Sequence, residues 1–153
     1  MKKSFYILMI VAMASLLSAC SHDIVYSRFI PVSSEKWDAD SVLRFDFAIL
    51  DTTPDYRMIV YVRHTERYPY QNMWLFVGEG QYRDTIEFYL ADDRGQWLGD
   101  KNHGFIEMPV LLEEEKHFSD TGTYTLTIRQ GMRDSLLRGI TDIGVEIIRN
   151  GKE

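Results

Sequence analysis

The stretch Asp84-Thr-Ile-Glu-Phe-Tyr-Leu90 decides the fold. Thr85, Glu87 and Tyr89 alternate with Ile86, Phe88 and Leu90. A period of two sends these sets to opposite faces, as a half-buried strand requires. Asp92-Asp93-Arg94-Gly95 follows as a tight turn, because Asp and Gly supply the backbone angles it needs. Gln96-Trp97-Leu98 then reads as a short returning strand.

The same pattern extends in both directions. Upstream, Leu43, Phe45, Phe47 and Ile49 alternate with Arg44, Asp46 and Ala48, and a turn cluster containing Pro54 follows. Ile59-Val60-Tyr61-Val62-Arg63 is apolar on both faces and is expected at the centre of a sheet. Asn72-Met-Trp-Leu-Phe-Val77 is a continuous apolar run, expected to be covered on both sides. Downstream, residues 105–112 form a strand that Pro109 confines to an edge. Thr123, Thr125, Thr127 and Arg129 alternate with Tyr124, Leu126 and Ile128, and a last strand covers 143–149. Glu113-Glu114-Glu115-Lys116 reads as a solvated loop. Met132, Leu136, Leu137 and Ile140 have helical spacing, which predicts one short helical turn near the C-terminus. Many short strands at this spacing imply an all-β protein, an antiparallel β-sandwich of jelly-roll-like order.

The 153 residues suit one such domain. A formal charge of -6, with no Lys/Arg cluster, argues against a nucleic-acid partner. The lone cysteine, Cys20, excludes an internal disulfide framework. Lys2 and Lys3 precede an apolar run over residues 5–17 that is too short to span a membrane comfortably. This is the shape of an export leader. It ends in Leu17-Ser18-Ala19-Cys20, which resembles the lipobox of bacterial lipoproteins. That resemblance implies cleavage before Cys20 and fatty-acyl (palmitate-type) chains on it. Several chains hold a protein to a bilayer where one does not, each buried methylene contributing about 0.8 kcal/mol. Ser21 follows where Asp would mark inner-membrane retention, so the outer membrane is expected, in a leaflet left open. The organisation is thus a signal peptide at 1–19, a lipidated tether and first strand at 20–36, and the sandwich at 37–153. Loss of Lys2 and Lys3 leaves 15 basic against 23 acidic residues, a mature charge of -8.

Reactive constellations are sparse. His22, His64, His103 and His117 show neither H-x-H nor H-E-x-x-H spacing, so no metal and no cofactor are expected. G-x-S-x-G is missing, and the only thiol is assigned to lipid. Asp92 and Asp93 could pair as catalytic carboxylates, but a turn is the simpler reading. No catalysis is expected. Trp74 and Trp97 are expected to fill the core, while Trp37, set among Lys36, Asp38 and Asp40, is expected at the surface. Four triplets of Asp, then Ser or Thr, then Ala, Ile, Leu, Met, Val or Thr place candidate O-glycosylation at Ser41, Thr52, Thr85 and Ser135, a pattern that resembles an acceptor used in the Bacteroidota.

Two longer stretches carry a family resemblance. They are residues 70–77 running on through 84–99, and Gly122-Thr-Tyr-Thr-Leu-Thr-Ile-Arg-Gln-Gly-Met-Arg133 continuing to Gly144. With the lipobox, these resemble the gliding-motility lipoproteins of the GldH type found in the Bacteroidota. Residues 100–103 depart from that pattern in a longer link. The resemblance implies a non-catalytic envelope lipoprotein that supports gliding or the linked secretion of surface adhesins. Its protein partners would meet a surface made by Asp92, Asp93, Arg94 and Trp97 with Gln130 and Arg133. The alternative is a glycan- or peptide-binding outer-membrane lipoprotein with an aromatic platform.

Overall fold

The first long strand pairs with the last, and the pairing then works inward along the chain. The computed structural model describes residues 23–151; the leader, Cys20 and Ser21 lie outside the described residues, as does His22. In chain order the strands are β1 (Asp23–Pro31), β2 (Lys36–Asp38), β3 (Leu43–Ile49), β4 (Tyr56–His64), β5 (Asn72–Glu79), β6 (Tyr82–Tyr89), β7 (Asp100–Asn102), β8 (Phe105–Lys116), β9 (Gly122–Gln130), β10 (Leu136–Arg138) and β11 (Ile140–Arg149). β1 pairs with β11, β3 with β9, β4 with β8 and β5 with β6, all antiparallel. This is one long hairpin rolled on itself. The roll is closed by β11 on β4 and β9 on β5, which gives sheets ordered β1-β11-β4-β8-β7 and β3-β9-β5-β6. That is jelly-roll order, as expected from the strand spacing.

The core lies between the two sheets. Phe45, Phe47 and Ile49 of β3, with Met73, Leu75 and Val77 of β5 and Leu126 and Ile128 of β9, meet Met58, Val60 and Val62 of β4. Ile143, Val145 and Ile147 of β11 complete that facing layer. Each such side chain contributes about 1.5–3 kcal/mol through removal from water. β4 is central in its sheet, as expected, but it is buried on one face only, and Arg57 and Arg63 lie on the other. β8 is unpaired on its far side beyond Glu107, and Pro109 lies in that open stretch.

Four expectations change. β5 is covered on one face only: Met73, Leu75 and Val77 point inward, while Trp74 and Phe76 are exposed. A continuous apolar run does not reveal this, because outward aromatics look the same as buried ones in sequence. Residues 113–116 are the end of β8, not a loop; bulges against β4 carry them, and Glu114 pairs with Arg57. No helix forms over 132–140. That stretch is too short to stabilise a helix alone, and β10 pairs instead with β2. The helical turn is at Ser33–Glu35, near the other terminus. Finally Trp37 is not at the surface: it is 1% exposed, opposite Leu137, with Nε1 donating to the Ser41 carbonyl.

Two positions hold the end of the sandwich that carries β2 and β10. Gly139 has φ +84°, and a Cβ there would meet the Tyr68 backbone. Its carbonyl accepts from Thr65 N and its N–H donates to the Glu35 carbonyl, at 2.8 and 2.9 Å. His64 is buried with its ring against Trp97 and Tyr68. Its Nδ1 lies 3.1 Å from the Thr65 carbonyl, an arrangement that makes Nδ1 the donor, and Nε2 has no partner among the described residues. Burial pushes this imidazole below its ordinary 6.5.

Replacing Gly139 by Ala should cost about 3 kcal/mol, through strain at positive φ and the clash with residue 68. Urea unfolding measures it, and a wild-type midpoint would contradict this account. The His64 sign follows from proton uptake. Below about pH 6.5 the unfolded chain takes a proton that the folded ring refuses, so stability falls as pH drops toward the lower folded value. Unfolding curves between about pH 7.5 and 5.5 should show His64→Phe losing less stability than wild type.

Candidate functional site

Strand registers sort the loops into two ends. Asp23, Tyr56, Lys116 and Arg149 lie together at one end, with the loops 50–55 and 117–121. His64, Ile106 and Ile140 lie at the other, with the loops 65–71, 90–99 and 131–135. Both expected surface segments fall at this second end, and the 65–71 loop ties them together. The Gln71 carbonyl accepts from Leu90 N and Ala91 N at 2.7 and 3.1 Å, and its Nε2 donates to the Asp92 carbonyl. On the other side the Tyr70 hydroxyl donates to both Asp134 oxygens at 2.9 Å, which holds the phenol above its usual range.

The named residues divide sharply. Asp92 spends its carboxylate on the turn itself: Oδ1 accepts from Arg94 N and Gln96 N at 2.9 and 2.8 Å, and Gly95 closes it at φ +75°. Asp93 and Arg94 are exposed. Trp97 makes an isolated bridge with Ala91 and turns its ring onto His64, 4.7 Å away, so its indole is half-buried and presents no platform. Gln130 is a correction: it is 2% exposed and therefore not part of a surface. Its Nε2 donates to the Asp134 carbonyl and its Oε1 accepts from Met132 N, pinning the 131–135 loop from inside. A glutamine in an otherwise apolar position is tolerated because both ends of its amide are satisfied. Arg133 is exposed and makes no ion pair among the described residues.

Beside Arg133 is a hollow of about 280 Å³, lined also by Tyr70, Asn72, Trp74, Gly131 and Met132. Trp74 is 37% exposed. The loop closes on β5 through Gly131 N, which donates to the Trp74 carbonyl at 2.8 Å, and a Cβ at Gly131 would crowd Trp74. The Met132 sulfur accepts from Trp74 N at 3.3 Å. Along the same outer face Arg129 stacks on Phe76, and Asn72 donates to Glu87 at 2.6 Å. Trp, Tyr, Met and Arg surround this shallow hollow, and these are the residues enriched where proteins meet partners. Spacing could have revealed Trp74. If Gly80-Gln81 is a two-residue hairpin turn, Glu79 faces Tyr82 and the count places Trp74 opposite Glu87, on the polar face.

A larger hollow of about 300 Å³ lies between Thr65, Glu66 and the Lys101 to Ile106 segment. His103 is exposed beside it, and His117 has Nδ1 3.2 Å from Asp55 at the opposite end. Among the described residues, no three His, Asp or Glu side chains gather as a metal site would need. Of the four candidate glycosylation positions, Ser41, Thr85 and Ser135 are exposed and Thr52 is half-buried.

Comparison with known proteins matches the sequence to a family. The chain is 28% identical over 159 residues to a gliding motility lipoprotein GldH homolog of Christiangramia forsetii, covering 96% of this chain and 97% of that one. It is 32% identical over 146 residues to gliding motility lipoprotein GldH of Flavobacterium johnsoniae, covering 88% and 90%. The family model for the GldH lipoprotein matches residues 24–147, from β1 into β11. With a family model that matches most of its length and a relative 32% identical over 88% of it, this chain belongs to the GldH lipoprotein family.

Proposed function

We propose that this protein is a non-catalytic outer-membrane lipoprotein, anchored through acyl chains on Cys20, that acts as an interaction component of gliding or adhesin-secretion machinery. The family supplies the lipid-anchored envelope setting. The carrying observation is the hollow in which Trp74, Tyr70 and Met132 stand beside Arg133, which makes no ion pair among the described residues. Aromatic and Arg anchors of this kind concentrate binding energy, and truncating one commonly costs 2 kcal/mol or more. The turn with exposed Asp93 and Arg94 lies at the same end, tied to the 65–71 loop through Gln71.

Outward rings beside Asn72 and Glu87 also support a second reading, in which a sugar ring stacks on Trp74 and hydrogen-bonds its neighbours. A glycan array with the mature protein separates the two, and a blank array removes the sugar.

Trp74→Ala with Arg133→Glu changes two exposed side chains, so folding and abundance should be preserved. Partner capture from intact cells should fall on the order of a hundredfold. In a Flavobacterium johnsoniae strain whose own gene is replaced by this one, spreading and adhesin secretion should fall with it. Normal behaviour of the double variant in both assays would end this assignment of the surface.

A further inference from the structure

The end of the sandwich opposite the hollow carries its own apolar tip. Leu50 closes β3 and is 83% exposed, the most open large apolar side chain described. Exposed Ile24 and Val25 begin β1 at the same end, and Tyr82 stands beside the 80–81 turn. Three carboxylates at this end have basic neighbours, Glu79 with Lys116 at 3.1 Å, Asp23 with Arg149 at 3.8 Å, and Glu114 with Arg57, while Glu113, Glu115 and Asp120 are exposed with no ion pair among the described residues.

Chain length fixes where this end sits. Cys20 precedes Asp23 by three residues, and three residues reach at most about 11 Å when fully extended. β1 then runs nine residues to the other end, about 30 Å at strand rise. Acyl chains on Cys20 therefore hold the Leu50 end near the bilayer and the Trp74 end away from it. We propose that the Leu50 end rests on a zwitterionic lipid surface, with Leu50 set into the headgroup boundary and residues 80–81 and 117–121 beside it. Zwitterionic lipid is favoured because a body of charge -8, with Glu113, Glu115 and Asp120 exposed at this end, is repelled by anionic headgroups. The inference rests on the Cys20 anchor.

The test is hydrogen exchange on the acylated mature protein in phosphatidylcholine vesicles, wild type against Leu50→Asp, corrected for intrinsic rates. Because Leu50 makes little contact with the fold, the variant keeps its structure and its acyl chains. Amides of 50–55 should exchange about threefold or more slowly in wild type than in the variant, while those of 65–71 and 131–135 match. Adding phosphatidylglycerol to the vesicles should shrink the difference. Equal exchange at 50–55 in the two proteins, or lipid protection at 131–135, overturns the orientation; a protein rather than lipid covering Leu50 gives the first of these results. Intact mass and vesicle flotation report the anchor separately. An unacylated, non-floating protein refutes the Cys20 reading and this inference with it, whereas a floating protein without loop protection refutes the orientation alone.

Discussion

Val62 faces Ile143, Val60 faces Val145 and Met58 faces Ile147 across the β4–β11 ladder, and all six side chains are buried. The remaining architecture depends on this register. A slip of one residue would turn the whole apolar set outward and bring Arg57, Arg63 and Glu146 toward the core. Because β4 carries β8 on one side and β11 carries β1 on the other, the ladder also fixes which loops share an end. The hollow beside Trp74 is therefore set by strand pairings far from it in sequence.

That end is assembled from loops that are individually unremarkable in composition. Gln71 binds the 90–92 backbone, Tyr70 binds Asp134, Gln130 holds residues 132 and 134, and Gly139 allows Tyr68 to pass close by. Gln71, Tyr70 and Gln130 act as internal ties, each with a partner, so the buried Gln130 amide costs little. The result is a rigid mount for a few exposed side chains. Rigidity matters for recognition, because an anchor held in place loses less freedom when a partner arrives.

The alternation in 43–49, 84–90 and 123–129 made the sandwich legible, since one-sided burial writes a period of two directly into the sequence. Jelly-roll order followed from strand count and spacing. What did not follow was facing. Trp74 looked like core because nothing in Met73 to Val77 marks which face is covered, and Trp37 looked exposed because its acidic neighbours point the other way from its ring. Gln130 looked like surface because its buried ties come from backbone atoms of a loop whose closure no side-chain pattern announces. Asp92 was rightly placed in a turn, yet its carboxylate serves that turn rather than a partner. Hydrophobic identity was readable; orientation depended on register, which long-range pairing sets.

The order of the pairings has a consequence for biogenesis. The partner of the first strand is the last to be synthesised, with Asp23 opposite Arg149, and each inner pair is likewise separated by long stretches of chain. Among the described strands, the local hairpins β5–β6 and β7–β8 can join early. Contacts this distant in sequence form slowly, after much loop entropy has been lost. A polypeptide wired in this way stays threadable until its C-terminus is free, which is the condition a narrow translocation channel imposes on its cargo.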